Sequence, residues 1–309
     1  MSYGKTIEVQ NLHLFCLCLM QTNRTRNNEV QFRYNQGFLN PTHLLLHAMT
    51  RIISANLNGI RSANTKGFFN WLATQNADIV CVQELKAQAD VVQTSFAQTA
   101  EHHGYFHYAE KKGYSGVGLY TRHAPDEVIV GFDDGEFDNE GRYVEARFGK
   151  LSVISVYCPS GSSSPERQEA KYRFMNIFLP HIKSLREAGR EVIICSDVNI
   201  AHHPIDIKNA KGNVKNSGFL PEERAWLTQF LDECRMHDTY RHLEPETVQY
   251  TWWSNRGQAY ANNVGWRIDY QLASHAVAEK AHATHVYTEQ KFSDHAPIVM
   301  DYQFSLSDF

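Results

Sequence analysis

The sequence predicts an α/β fold in which two packed sheets carry helices on their outer faces. Three observations lead there. From residue 49 onward, short apolar runs rich in Val and Ile recur, as strands buried on both faces do. Longer stretches of helical periodicity separate these runs. No segment rich in Gly, Ser or Pro divides residues 49–309, so they read as one domain rather than two. A chain of 309 residues, 42% hydrophobic and 21% charged, has the length and composition to bury such a core.

In chain order, strands are expected at Ile52–Asn56, Ile79–Gln83, Gly116–Thr121, Val144–Phe148, Val153–Tyr157, Val192–Ser196, Gln249–Trp253, Ile268–Ala273 and Ile298–Tyr302. Helices are expected at Thr65–Ala73, Ala89–His102, Ser164–Glu187 and Pro221–Asp232, the last with proline in its first turn. Residues 1–48 differ in character, with no amphipathic period. Their one apolar run, Leu12–Met20, is too short to span a bilayer and lacks the flanks of an export signal. The folded domain is therefore expected to begin at Met49, with 1–48 a poorly ordered extension or the product of an upstream start codon. Six cysteines (Cys16, Cys18, Cys81, Cys158, Cys195, Cys234) show neither CxxC pairing nor zinc-ligand spacing, and read as reduced thiols of a cytoplasmic protein. The formal net charge of −4 excludes a global positive field, so polyanions would have to be held by a local patch or by bound cations.

The strand ends share a chemistry. Ile52–Ala55 runs into Asn56-Leu57-Asn58, Ile79–Val82 into Gln83-Glu84, and Val153–Val156 into Tyr157. Val192–Ser196 runs into Asp197-Val198-Asn199, Arg267-Ile268 meets Asp269, and Ser293 precedes Asp294-His295. A carboxylate or amide after a strand is usually a turn former. Six such ends, four of them acidic, can instead face one mouth at the rim of a sheet, where α/β folds place their chemistry. Glu84, Asp294 and Asn56 or Asn58 would form a hard oxygen site suited to Mg²⁺. A histidine could stabilise phosphate there, and a separate carboxylate could take a proton from water. That is the equipment of a metal-assisted phosphodiesterase.

The motifs along the chain resemble those of the exonuclease III family of apurinic/apyrimidinic endonucleases. They are Ala55-Asn56-Leu57-Asn58-Gly59-Ile60-Arg61, Val82-Gln83-Glu84-Leu85-Lys86, Tyr114-Ser115-Gly116-Val117-Gly118, Glu140-Gly141-Arg142 and Tyr157-Cys158-Pro159, then Ser196-Asp197-Val198-Asn199-Ile200-Ala201-His202, Gly218-Phe219-Leu220-Pro221-Glu222-Glu223-Arg224, Asn263-Val264-Gly265-Trp266-Arg267-Ile268-Asp269-Tyr270 and Ser293-Asp294-His295-Ala296-Pro297. They stand in family order and cover residues 50–303; the extension has no counterpart.

The resemblance implies a four-layer α/β sandwich, two mixed sheets flanked by helices, and Mg²⁺-dependent hydrolysis of the DNA backbone 5′ to abasic sites in base excision repair, with accessory 3′-phosphodiesterase, 3′-phosphatase or 3′–5′ exonuclease activity and Mn²⁺ as the expected substitute. It implies Glu84 as principal metal ligand, with Asp294, Asn56 and Asn58 close to the metal. Asp197 would ready the attacking water and Asn199 would hold that water or the phosphate. His295, oriented by Asp269, would stabilise the developing charge, while Tyr157 touches the phosphate. Implied DNA contacts are Arg61, Lys66, Lys86, Gly113, Tyr114, Asn209, Asn213 and Asn216, the last three in a loop that also carries Lys208, Lys211 and Lys215. Trp252, Trp266 and Ile268 would line a pocket for the bare sugar. Duplex DNA with abasic sites or blocked 3′ ends is the implied partner of a monomer that does not engage membranes and works in a bacterial-type cytoplasm at the nucleoid. Ser160, Ser163 and Arg256 depart from the family pattern at positions that grip DNA. The alternatives are a paralogue that trims 3′ ends, a phospholipid or inositol-phosphate phosphodiesterase, and a binding module with a dead site.

Overall fold

The computed structural model describes residues 49–132 and 135–309; the predicted extension 1–48 lies outside them. Fourteen strands are described: β1 Thr50–Asn56, β2 Ile79–Gln83, β3 His103–His107, β4 Val117–Thr121, β5 Glu127–Val130, β6 Tyr143–Phe148, β7 Leu151–Tyr157, β8 Glu191–Asp197, β9 Met236–Asp238, β10 Trp252–Trp253, β11 Gly265–Trp266, β12 Asp269–Ser274, β13 Ala281–Val286 and β14 Ile298–Tyr302. The helices are α1 Ile60–Thr65, α2 Phe68–Leu72, α3 Ala89–Ser95, α4 Pro165–Glu187, α5 Ala210–Asn213, α6 Pro221–Glu233, α7 Thr239–Leu243 and α8 His275–Ala278. One six-stranded sheet has the order β13-β14-β1-β2-β4-β3 and the other β5-β6-β7-β8-β12-β9. Each is mixed: β1 pairs parallel with β2 and β7 parallel with β8, while the other pairings are antiparallel.

Strand alternation sorts side chains into layers. Ile52, Ile193 and Cys195 face the space between the sheets with Val153, Ala273 and Met300. Ile53 points the other way, onto a cluster with Phe68, Trp71 and Leu72 of α2, and Val192 and Ile194 point onto Phe174, Phe178 and Phe230 of α4 and α6. The result is helix, sheet, sheet, helix, as the resemblance implied. α4 begins where Ser164 caps it, its Oγ accepting from Arg167 N at 3.3 Å, with Pro165 at the first helical position.

Three expectations are corrected. The helix expected at Thr65–Ala73 shortens to α2, and α1 precedes it over Ile60–Thr65, because Gly67 between them takes φ 92°, a left-handed conformation that ends α1 and restarts the chain. The helix expected at Ala89–His102 stops at Ser95; Thr99 Oγ1 and His102 Nδ1 close a turn at 2.9 Å, and buried His102 Nε2 bonds Ala77 O at 2.8 Å, sending the chain into β3. The strand expected at Gln249–Trp253 shrinks to Trp252–Trp253, paired with Gly265-Trp266 outside both large sheets. Thr251 instead spends its hydroxyl on Ile268 N and Asp269 N, both at 3.1 Å, which seats this hairpin over the rim. Cys81, Cys158, Cys195 and Cys234 are free and buried. No described helix is long and apolar enough to cross a membrane.

Candidate active site

The topology brings the six polar strand ends to one rim. The ends of β1 and β2 face the same way because these strands are parallel, and β7 and β8 repeat the arrangement in the second sheet. β12 runs antiparallel to β8 with Asp269 opposite Asp197, so the start of one strand meets the end of the other. The described residues in this region line a cleft of about 600 Å³, among them Asn58, Glu84, Lys86, Tyr157, Asp197, Asn199, Asn216, Trp252, Trp266, Ile268, Asp294 and His295.

Two sets of bonds organise the floor. His295 Nδ1 lies 2.9 Å and 3.1 Å from the two carboxylate oxygens of Asp269, and its Nε2 is 3.9 Å from Asp197 Oδ2. Asn56 Nδ2 donates to Glu84 Oε1 and to Asp197 Oδ2, both at 2.9 Å, bridging the two sheets. Asn199 N donates to Asp197 Oδ1 at 2.9 Å, and Asn199 Nδ2 to Cys158 O at 3.0 Å. Beneath Tyr157, the buried Arg142 guanidinium lies 4.8 Å from the ring centroid and donates to the Tyr157 carbonyl at 2.7 Å. Asn58, Glu84, Lys86, Asn199 and Asn209 all have φ between 45° and 59°, so the rim concentrates a conformation that non-glycine residues rarely adopt.

The electrostatics separate the groups. Burial would lower His295, but Asp269, Asp197 and Asp294 outweigh it and raise the imidazole to about 10, so it is a cation at neutral pH. Burial raises Asp197 well above the usual carboxylate range, reinforced by Asp269 and Glu84 and opposed by His295. Glu84 goes the other way: burial raises it, yet Lys86, His295 and Asn56 hold it below its ordinary value. Asp294 is likewise held low against burial by His295, Asn58 and Trp252. Tyr157 is pushed well up by burial and by the Glu84 and Asp197 charges, so it keeps its proton.

A hard divalent cation fits this donor set. Among the described residues, Glu84, Asp197 and His295 form a group of ligand-type atoms within 4.8 Å of one another. A protonated His295 offers no lone pair, which leaves oxygen donors. Asp294 stands outside that group, its oxygens taken by Asn58 Nδ2 at 2.7 Å and Trp252 Nε1 at 3.2 Å. Asn56 turns its Nδ2 toward the carboxylates and its Oδ1 toward Asn58 N, so it would offer oxygen to an ion only by rotating its amide. Lys86 Nζ bonds Glu84 Oε2 at 2.6 Å and also contacts Asn58 Oδ1.

Of the DNA contacts expected, Lys86 and Asn216 line the cleft, joined by Lys215 of the same cationic loop. Arg61, Lys66 and Gly113 are exposed outside its lining, and Asn209 and Asn213 belong to the turn of α5. Tyr114 is half-buried, its hydroxyl accepting from Arg142 at 3.0 Å and Arg167 at 2.9 Å. Trp252 and Trp266 meet edge to face at 6.0 Å, with Ile268 packed against both. Sequence reasoning missed the cleft wall at Gly161 and Ser162, and the roles of Arg142, Lys171 and Glu223 behind it.

The Endonuclease/Exonuclease/phosphatase family model matches residues 53–295. An exodeoxyribonuclease of Bacillus subtilis is 37% identical over 250 residues, 80% of this chain and 97% of the relative. The DNA repair nuclease APEX1 of Danio rerio is 34% identical over 256 residues, 82% of each chain. A solved structure of the 3′ phosphatase NExo from Neisseria, bound to a product DNA hairpin, superposes with a TM-score of 0.74 at 26% identity, over 82% of this chain and 99% of that one.

Proposed function

The chain belongs to the Endonuclease/Exonuclease/phosphatase family and is a nuclease of its AP-endonuclease and exodeoxyribonuclease type; from that premise we propose the substrate, cofactor and residue roles that follow. The enzyme hydrolyses duplex DNA 5′ to abasic sites, with Mg²⁺ as cofactor and Mn²⁺ as substitute, and acts as a monomer in the cytoplasm at the nucleoid. One observation carries the reading: Asn56 ties Glu84 to Asp197 in the same cleft where Asp269 holds His295, beside an apolar pocket of Trp252, Trp266 and Ile268.

Glu84, held below its ordinary value and so ionised, is the principal ligand for the cation, with Asp294 and the Asn56 and Asn58 amides around it. Bound there, the cation supplies positive charge against the phosphate oxygens. Asp197 accepts a proton from the attacking water; its raised basicity suits that task, and its Oδ1 is steadied by Asn199 N. Asn199 aligns the water or the phosphate. The His295 cation, fixed through Asp269, stabilises the charge that builds on the phosphate, and Tyr157, which keeps its proton, donates a hydrogen bond to a phosphate oxygen. An abasic nucleotide is cheap to extrude, and a tight apolar pocket admits a bare sugar while refusing a base.

The test is cleavage of a duplex carrying an internal abasic analogue, with Mg²⁺, Mn²⁺ or chelator, beside Asp197→Asn. Incision 5′ to the lesion that needs the metal and falls about 10³-fold in the variant is expected; no incision with either metal, or full activity in Asp197→Asn, overturns the reading. A second reading, trimming of blocked 3′ ends, is favoured by the likeness to the 3′ phosphatase. It is distinguished by greater turnover on a recessed 3′-phosphate than on the internal site.

A further inference from the structure

Lys171 of α4 and Glu223 in the first turn of α6 are buried to within 1% of complete, although lysine and glutamate rarely leave the surface. Their Nζ and Oε1 atoms are 2.6 Å apart. Burying such a pair is seldom a route to stability, because desolvation cancels most of the attraction. Its remaining bonds point elsewhere. Lys171 Nζ donates to the carbonyl of Asn199 at 2.9 Å, and Glu223 Oε2 accepts from Gly218 N at 2.6 Å and Leu220 N at 3.1 Å. Gln168 Nε2 adds 3.0 Å to Oε1. Asn199 and Gly218 both line the cleft, and both hold left-handed backbone, φ 57° and 91°. Ala201 N closes the circuit on Gly218 O at 2.8 Å.

We propose that the Lys171–Glu223 pair is a positioning element that clamps the Asn199 backbone to the Gly218 wall of the cleft, so that hydrolytic alignment depends on two residues that never touch DNA. The pair sits behind the site on two outer helices, and one ion pair fixes both the segment after Asp197 and the loop that faces the pocket. Asn199 N is bonded to Asp197 Oδ1, so a shift of the Asn199 backbone moves the proposed base as well. The inference rests on the reading of Asp197 and Asn199 as the hydrolytic centre.

The experiment uses the full chain with Mg²⁺ and two duplexes, one with an internal abasic analogue and one with a recessed 3′-phosphate. Glu223→Asp keeps both charges, and with them the fold, but is one methylene short of spanning Lys171 and Gly218. Lys171→Met/Glu223→Gln removes both charges together and leaves no buried charge unpaired. In each, kcat on the preferred substrate is expected to fall about 10- to 100-fold while KM stays within about threefold, since misalignment costs rate more than binding. A structural role alone would lower Tm and leave kcat at the wild-type value, and that result in either folded variant overturns the proposal. Wild-type protein that hydrolyses neither duplex refutes the functional reading itself; wild-type turnover with undiminished kcat in the variants refutes only the clamp.

Discussion

Nε2 of His295 stands 3.9 Å from Oδ2 of Asp197, while Nδ1 of the same ring is held by Asp269 at 2.9 Å. One imidazolium thus separates two buried carboxylates that occupy facing positions on neighbouring strands. The two carboxylates keep His295 charged, while burial, reinforced by Asp269 and opposed by His295, leaves Asp197 more basic than an ordinary aspartate.

Asp269→Asn is therefore expected to lower kcat about 10²-fold near pH 8. The sign follows from a folded value of about 10 against 6.5 for the free side chain. The imidazolium is complete at and below neutral pH, and it disappears only as pH rises toward 10. Without Asp269, burial is opposed chiefly by Asp197 and Asp294, so the alkaline limb of the pH–rate profile moves to lower pH. A variant profile that overlays the wild type would remove this role from Asp269.

Lys86 makes a separate prediction, because its ammonium lies 2.6 Å from the carboxylate proposed to hold the metal. Glu84→Ala should raise the Mg²⁺ needed for half-maximal activity about 10- to 100-fold. Lys86→Met should instead tighten Mn²⁺ binding to the DNA-free protein, measured by electron paramagnetic resonance, since a competing cation is gone. It should still weaken DNA. If Mn²⁺ binds Lys86→Met no better than wild type, Lys86 does not compete for the site.

Asp206 links the cleft to stability. Its carboxylate receives Arg267 at 2.8 Å and Arg241 at 2.6 Å, and its backbone oxygen receives Arg267 N at 2.7 Å. Burial would raise it, but the two guanidiniums bring it from 3.8 to about 2. A carboxyl depressed in the folded state stabilises at all pH values above its unfolded value and loses that contribution as pH falls from about 4 to 2. The difference corresponds to about 2 kcal/mol. Asp206→Asn should be less stable to urea than wild type at pH 7 by about that free energy or more, because buried Arg267 is left with Asp238 as its one remaining ion-pair partner among the described residues. Near pH 2.5 the gap should narrow. A gap independent of pH would show that the ionised carboxylate is not what stabilises the fold.

The legible parts of this molecule are those where physics leaves one reading of a short segment. Val192–Cys195 is apolar at every position, as a strand covered on both faces is, and β8 lies where expected. Edge strands gave weaker signals: β13 reads Ala-His-Ala-Thr-His-Val with half its residues exposed, and β3 begins with exposed His103. Glu84 and Asp197 were legible because each closes an apolar run, and Asp269, Asp294 and His295 because they stand just before one. Lys171 was not, for on a helix a lone lysine between Ala170 and Tyr172 reads as a solvated charge. Its burial depends on Glu223, 52 residues away, and no local pattern encodes that meeting. Asn56 was read as a metal neighbour, whereas its bridging of Glu84 and Asp197 exists only once the two sheets pack.

Gly218 tests how the pocket wall selects its substrate. Its backbone, at φ 91°, passes between the Trp266 ring and the Asn199 carbonyl, and a Cβ there would lie 3.0 Å from the first and 3.1 Å from the second. Any side chain is therefore strained by conformation and crowded on the pocket side. Gly218→Ala should cost both activities modestly, since it disturbs Asn199 without filling the cleft. Gly218→His should do more, because its ring must occupy space next to Trp266 that the DNA beyond an extruded sugar would need. Internal abasic cleavage should fall about tenfold or more beyond the Gly218→Ala level, while release of phosphate from a recessed 3′ end stays near that level. The ratio of the two rates is the measurement. Equal losses in Gly218→His would mean that Gly218 serves the backbone alone and that room beside Trp266 does not set the preference.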